Sequence, residues 1–280
     1  MDFRFPVIFI LLVLVVLAVF SGCTSSSGTN GITTPLPNTS VTSEQATSAK
    51  LQQCITTIRT IVDQGNVTQQ SAVKPDNAVL HEANRIFLNM KSTEYVNLPY
   101  TIDDAAGIYK FDCRGFVDQV LKNADPVVYQ KIGRGVSPIP LPMYVDYFNK
   151  LDSKTPNADG WIKVAHPVDL KPGDICFWRP PVPGHMFIII GKPQENPVRN
   201  DEVLVRIIDS APGSHSDDSR TGSAFPTGLG AGVLGIIVDT DRNPIKYNWK
   251  GGMVQSPETA GPGRKIWEEN ATILCGRLNR

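Results

Sequence analysis

An excess of either charge is missing from this sequence: 27 Lys and Arg stand against 27 Asp and Glu, for a formal net charge of zero. That balance gives no electrostatic case for nucleic acid or an acidic polymer as partner. Histidine is scarce, with 4 in 280 residues. The 5 cysteines form no CxxC pair and no cluster with histidine, so the usual zinc and iron–sulfur spacings are not present. No internal repeat is found, which argues against a stacked array. Nothing in the sequence requires a metal or cofactor.

What is present begins with a separate segment. In residues 1–23, Asp2 and Arg4 precede an apolar run from Phe5 to Phe20, and Ser21-Gly22-Cys23 follows. A short apolar core ending in small residues has the character of an export signal. Cys23 directly after it matches a lipoprotein processing box, with Phe20 where Leu or Val is usual. Lipidation at Cys23, an uncleaved single membrane anchor and plain secretion are the three readings, and each sends the rest of the chain outside the cytoplasm. Residues 24–48 are rich in Ser, Thr, Gly and Pro, and form an expected flexible tether. Residues 49–280 are the expected folded domain. The triplets starting at Asn38, Asn66 and Asn270 fit the N-glycosylation pattern. A disulfide is permitted outside the cell, and Cys54 with Cys275 would tie the first domain helix to the tail.

Along the folded part, apolar residues at three- and four-residue spacing predict a helix from Lys50 to Asp63 and a second from about Pro75. Residues 92–108 have the texture of a loop. A helix starting at Asp112 carries Phe116, Val117, Val120 and Leu121 on one stripe, and a short one follows from Met143 to Leu151. After Trp161 the chain turns to short strands: Trp161–Val164, Ile175–Trp178, Met186–Ile190, Leu204–Asp209 and Leu234–Val238. No helical crossover separates them, so the sheet is expected to be antiparallel and the class α+β. The residues beyond Asp239 suggest long loops and a closing strand near Ile273–Cys275.

Cys113 is the first candidate for chemistry. It stands behind Asp112 in the first turn of its helix, where the dipole and unpaired backbone N–H groups favour a thiolate. The alternative is a small buried hydrophobe. His185 stands at the mouth of an apolar strand, after Gly184, where a cleft can reach it. Asp209 ends the later strand; antiparallel pairing would set it beside His185 as the acceptor that orients the ring. Asp209 could instead simply begin a turn, and His215 is the other candidate to orient the base. Arg114 and Arg220 have forked donors suited to a substrate carboxylate. For an oxyanion, the Cys113 backbone N–H is the available donor, with Tyr100 or Tyr109 able to add a hydroxyl and Tyr100 preferred, because Tyr109 is too close in sequence for its direction to be read.

Three stretches then resemble one family in its motif order. Phe111-Asp112-Cys113-Arg114-Gly115-Phe116-Val117 looks like the Asp-Cys-Ser-Gly-Phe-Val box of NlpC/P60 cysteine peptidases. Lys171 to Trp178 resembles the turn and strand that precede the family's histidine, and Gly184 to Gly191 its His-Val-Gly-Ile-Tyr-Leu-Gly strand. The resemblance covers roughly residues 75 to 240. It implies a papain-like α+β core with helices packed on an antiparallel sheet, Cys113 as nucleophile and His185 as base. It puts Asp209 at the third polar position, often a His in the family, and departs at Arg114, where a small residue is common. Relatives cleave amide bonds in bacterial wall peptides, so the implied partner is a peptide or amide-containing cell-envelope substrate. No wall-binding module accompanies the resemblance. An acyltransferase on the same Cys–His pair, and an inactive binding groove with Cys113 bonded to Cys176 or buried under Arg114 and Asp209 turned to solvent, are the alternatives.

Overall fold

The computed structural model describes residues 77–179, 184–253 and 268–279. These all belong to one compact unit, Ser71–Arg280. The apolar segment, the tether, the helix expected from Lys50, and Cys23 and Cys54 lie outside the described residues. Among the described residues no helix is long and apolar enough to cross a membrane.

Helix α1 (Ala78–Asn89) begins at Asn77, whose side chain accepts the Leu80 N–H, and buries Val79, Ala83 and Ile86. Helix α2 (Cys113–Ala124) lies against it and places Phe116, Val117, Val120 and Leu121 fully inside, as their spacing predicts. Two shorter helices follow, α3 (Pro126–Gly133) and α4 (Leu141–Asn149). Helix α3 is not among the elements expected from the spacing, and it starts at Pro126. This proline occupies the first helical turn, where its fixed φ suits the helix and its missing N–H is not needed.

Residues 92–108 are not simply a loop. They carry three strands of three residues, β1 (Ser92–Glu94), β2 (Thr101–Asp103) and β3 (Ile108–Lys110), with β3 in the middle. β1 runs parallel to β3, and β2 antiparallel. Thr93 fastens this small sheet to the main one: its hydroxyl donates to the Tyr109 carbonyl and accepts the Leu229 N–H.

The main sheet has nine strands: β4 (Trp161–Val164), β5 (Ile175–Arg179), β6 (His185–Ile189), β7 (Gln194–Asn196), β8 (Arg199–Ala211), β9 (Gly228–Val238), β10 (Pro244–Asn248), β11 (Glu268–Asn270) and β12 (Thr272–Leu278). Their order is β11-β10-β9-β8-β6-β5-β12-β4, with β7 alongside β8, and every pairing is antiparallel. The molecule is therefore α+β, with helices on one face of an antiparallel sheet. β10 and β11 replace part of the long loops expected after Asp239.

Alternation along the strands divides the interior in two. Ile175, Phe177, Met186, Ile188 and Ile208 face the helices, while Cys176, Trp178, Phe187, Ile189 and Ile207 pack in a second cluster. The sheet curls around that second cluster: Trp178 of β5 stacks on Tyr247 of β10, with ring centroids 4.0 Å apart and planes 9° from parallel. Here too lies the disulfide. Cys275 is bonded to Cys176, its directly opposite partner on β5, and not to Cys54. The insertion of β12 between β5 and β4 decides the pairing, and residue spacing carries no sign of it.

Candidate active site

Asp112 sets the geometry at the start of α2. As N-cap it accepts the Gly115 N–H at 2.8 Å, an interaction worth about 1 kcal/mol to a helix. The same carboxylate takes the Tyr100 hydroxyl at 2.6 Å and Arg114 Nη2 at 3.0 Å. Gly115 is needed for this: a Cβ there would lie 2.7 Å from both the Tyr100 ring and Phe111 Cβ. Cys113 is thereby the first helical residue, is buried, and is a free thiol.

The segment entering α2 is pinned to the sheet. Ser210 of β8 donates its hydroxyl to the Phe111 carbonyl at 2.7 Å. Neighbouring strand residues point to opposite faces, so Asp209, one residue earlier, enters the second cluster. The register Ile188↔Ile208 makes Asp209 opposite Phe187 and diagonal to His185 on the same face. His185 Nε2 meets Asp209 Oδ2 at 2.6 Å. Nδ1 is then the ring nitrogen left for the thiol. Trp178, at 4.9 Å between ring centroids, and Trp249, at 5.3 Å, enclose the imidazole.

Burial works against an imidazolium at His185, but the charge of Cys113 and the hydrogen bonds with Asp209 and Cys113 outweigh it, so the pKa stands above its ordinary value. Burial also works against the Asp209 carboxylate. The Arg220 and His215 charges and the hydrogen bonds from His185 and His215 overcome this, and its pKa lies well below the usual range.

The other candidates resolve differently. His215 does not replace Asp209 but binds it, Nε2 to Oδ2 at 2.7 Å. Arg220 is not exposed to a substrate carboxylate: it is buried, donating Nη2 to Asp209 Oδ1 at 2.8 Å. Tyr109 is fully buried and donates to Asp104, so it offers no oxyanion donor. Tyr100 commits its hydroxyl hydrogen to Asp112 instead of an oxyanion. Arg114 is half-exposed beside the thiol, with Asp112 as its ion-pair partner. Cys113 is not bonded to Cys176, and Asp209 is fully buried, not turned to solvent; the thiol is itself buried, with Arg114 next to it.

Sequence reasoning missed Tyr95. This half-buried phenol is pushed up to about 12 by burial and by the nearby charges of Cys113 and Asp112. It lies between short strands, where no periodicity could have marked it. His185, Asp209 and His215 also bring ligand atoms within 4.8 Å of one another, the spacing of a metal site. Yet Asp209 Oδ2 bonds both imidazoles directly and Oδ1 holds a guanidinium, so a cation there would displace both hydrogen bonds beside a fixed positive charge. The donor set suits protons better than a metal. A groove of about 750 Å³, lined by Ile162, Lys163, Leu170, Lys171 and Lys192 among others, lies at the opposite end of β5 and β6 and contains none of these residues.

Comparison with protein-family models, with curated proteins and with solved structures finds no match to this chain.

Proposed function

We propose that this chain is a papain-like cysteine hydrolase of amide bonds, related to the NlpC/P60 peptidases and held at the extracytoplasmic face of a membrane. One observation carries the reading. A free thiol at a helix N-terminus adjoins an imidazole whose far nitrogen is fixed by a buried carboxylate. In the proposed cycle the Cys113 thiolate attacks a substrate carbonyl, and its own backbone N–H stabilises the oxyanion. The His185 imidazolium protonates the leaving amine, and the neutral ring then activates the water that hydrolyses the thioester. Asp209 keeps the ring oriented throughout.

The location rests on the apolar run before Cys23, the Ser/Thr-rich stretch after it, and the Cys176–Cys275 bridge, which suits an oxidising compartment. The substrate class follows from the motif resemblance: a peptide or amide of the cell envelope.

The test is the rate of Cys113 alkylation by iodoacetamide against pH, in the full chain, for wild type, His185→Ala and Cys113→Ala. The expected result is fast Cys113-dependent labelling with an apparent thiol pKa well below about 8.5, lost in the histidine variant. A slow thiol indifferent to His185 would refute the assignment.

A further inference from the structure

The acceptor that orients His185 is itself held on three sides. Asp209 Oδ2 faces the Nε2 atoms of His185 and His215 at 2.6 and 2.7 Å, and Oδ1 faces Arg220 Nη2 at 2.8 Å. The other nitrogen of His215, Nδ1, faces the Trp249 carbonyl at 3.1 Å. Both His215 nitrogens thus point at oxygens that can only accept. A neutral imidazole has one N–H; only the cationic ring satisfies both.

Charge counting agrees. The buried set contains two carboxylates, Asp209 and Asp218, and one guanidinium, Arg220, which bridges them. Asp218 is engaged by the Arg220 side chain and by the His215 and Arg220 N–H groups. With the Cys113–His185 pair neutral overall, one negative charge is left over, and Lys250, held at the Ser214 and His215 carbonyls, and a His215 imidazolium are both placed to offset it. Glycines make the room: a Cβ at Gly230 would lie 2.4 Å from Arg220 Nε, and one at Gly232 would lie 2.7 Å from Asp218.

We propose that His215 is carried as an imidazolium and, with Arg220, forms a two-cation clamp that positions Asp209 for His185 and sets the pH range of the Cys113–His185 pair. The proposal rests on the reading of that pair given above. His215 and Arg220 are positioning residues, since neither touches the thiol. The groups facing His215 are Asp209 on β8, His185 on β6, Asp218 and Arg220 in its own loop, and Lys250 after β10, whose ammonium donates to the His215 carbonyl. Those facing His185 are Cys113 on α2, Asp209 and His215, with Asp112, Arg114 and Tyr95 grouped around the thiol. An unopposed Asp209 would hold the His185 proton to high pH; two matched cations leave it an orienting acceptor with little charge to spare.

The test is ring-nitrogen NMR of the full chain in detergent across pH. His215 is expected to carry N–H on both nitrogens at neutral pH. Because its ring centroid lies 6.3 Å from that of His185, removing its charge in His215→Gln should raise the His185 deprotonation midpoint by on the order of one pH unit. Arg220→Gln should raise it likewise, Arg220→Lys should leave it in place, and Asp209→Asn should lower it. A bare lone pair on either His215 nitrogen at neutral pH overturns the clamp. So does an unmoved or lowered His185 midpoint in a folded His215→Gln protein. Should these variants fail to fold, the wild-type His215 ring still decides. A His185 midpoint unchanged by Cys113→Ala would instead refute the Cys–His pairing, with the clamp judged separately on His215.

Discussion

Removing the Cys176–Cys275 bridge tests how much of the sheet's stability is topological. The two residues are 99 positions apart, and closing a loop of that length takes roughly 4–5 kcal/mol of chain entropy from the unfolded state. They sit opposite each other on β12 and β5, in the middle of a five-residue antiparallel register from Thr272↔Arg179 to Gly276↔Ile175. The double variant Cys176→Ala/Cys275→Ala should therefore fold, but lose roughly 3–5 kcal/mol against denaturant. Tryptophan fluorescence during guanidinium unfolding is a direct assay, because Trp178 packs in the same cluster and stacks on Tyr247. Reductant should reproduce the shift in wild type and add nothing in the double variant. The Cys113 labelling profile should stay unchanged, since the contacts of Cys113, His185 and Asp209 use neither half-cystine. An equal midpoint for the oxidised wild type and the double variant would refute the loop argument.

Two other perturbations probe the site's supports. Gly115→Ala would normally strengthen a helix by about 1 kcal/mol, but here the methyl meets Tyr100 and Phe111 at 2.7 Å. A net loss of roughly 1–2 kcal/mol in thermal unfolding is expected; a stabilised variant would show the packing reasoning wrong. Asp118 is pushed by burial to about 7, while Tyr144 and the Ile139 N–H bond its carboxylate. The folded chain thus holds this proton more tightly than the unfolded one, so the contribution is full below the unfolded carboxyl range and is lost as pH rises through about 7. Wild type should lose roughly 2–3 kcal/mol of stability between about pH 5 and pH 7 from this group, and Asp118→Asn should lose less. Chemical denaturation at both pH values measures it, and parallel pH slopes would refute the assignment.

Where the sequence was legible, local rules and tertiary structure agreed. Asp112 caps, the 116–121 stripe buries, and antiparallel pairing sets Asp209 beside His185, all readable from periods of 3.6 and 2. Three-residue strands such as β1–β3 are too short to show a period, which is why residues 92–108 passed for a loop. The roles of Arg220 and His215 escaped because their partners arise from the curl of the sheet and the packing of loops. A forked donor near a glycine-rich strand looks the same in sequence whether it meets solvent or Asp209. Tyr109 shows a further limit: it lies too near Cys113 in sequence for its direction to be read there, and strand alternation turns its hydroxyl towards Asp104.

The place of β12 has a consequence for how the chain is made. Among the described residues β4 pairs with the main sheet only through β12, and β12 enters between it and β5. Any process that delivers the polypeptide from its amino end therefore releases Cys113, His185 and Asp209 while residues 161–164 still lack their neighbour. Cys113, His185 and Asp209 can come together early, but the sheet edge cannot close until residues 272–278 have emerged. A chain stalled or clipped before that point would present two unpaired strand edges at β4 and β5, and a half-cystine at Cys176 without its mate.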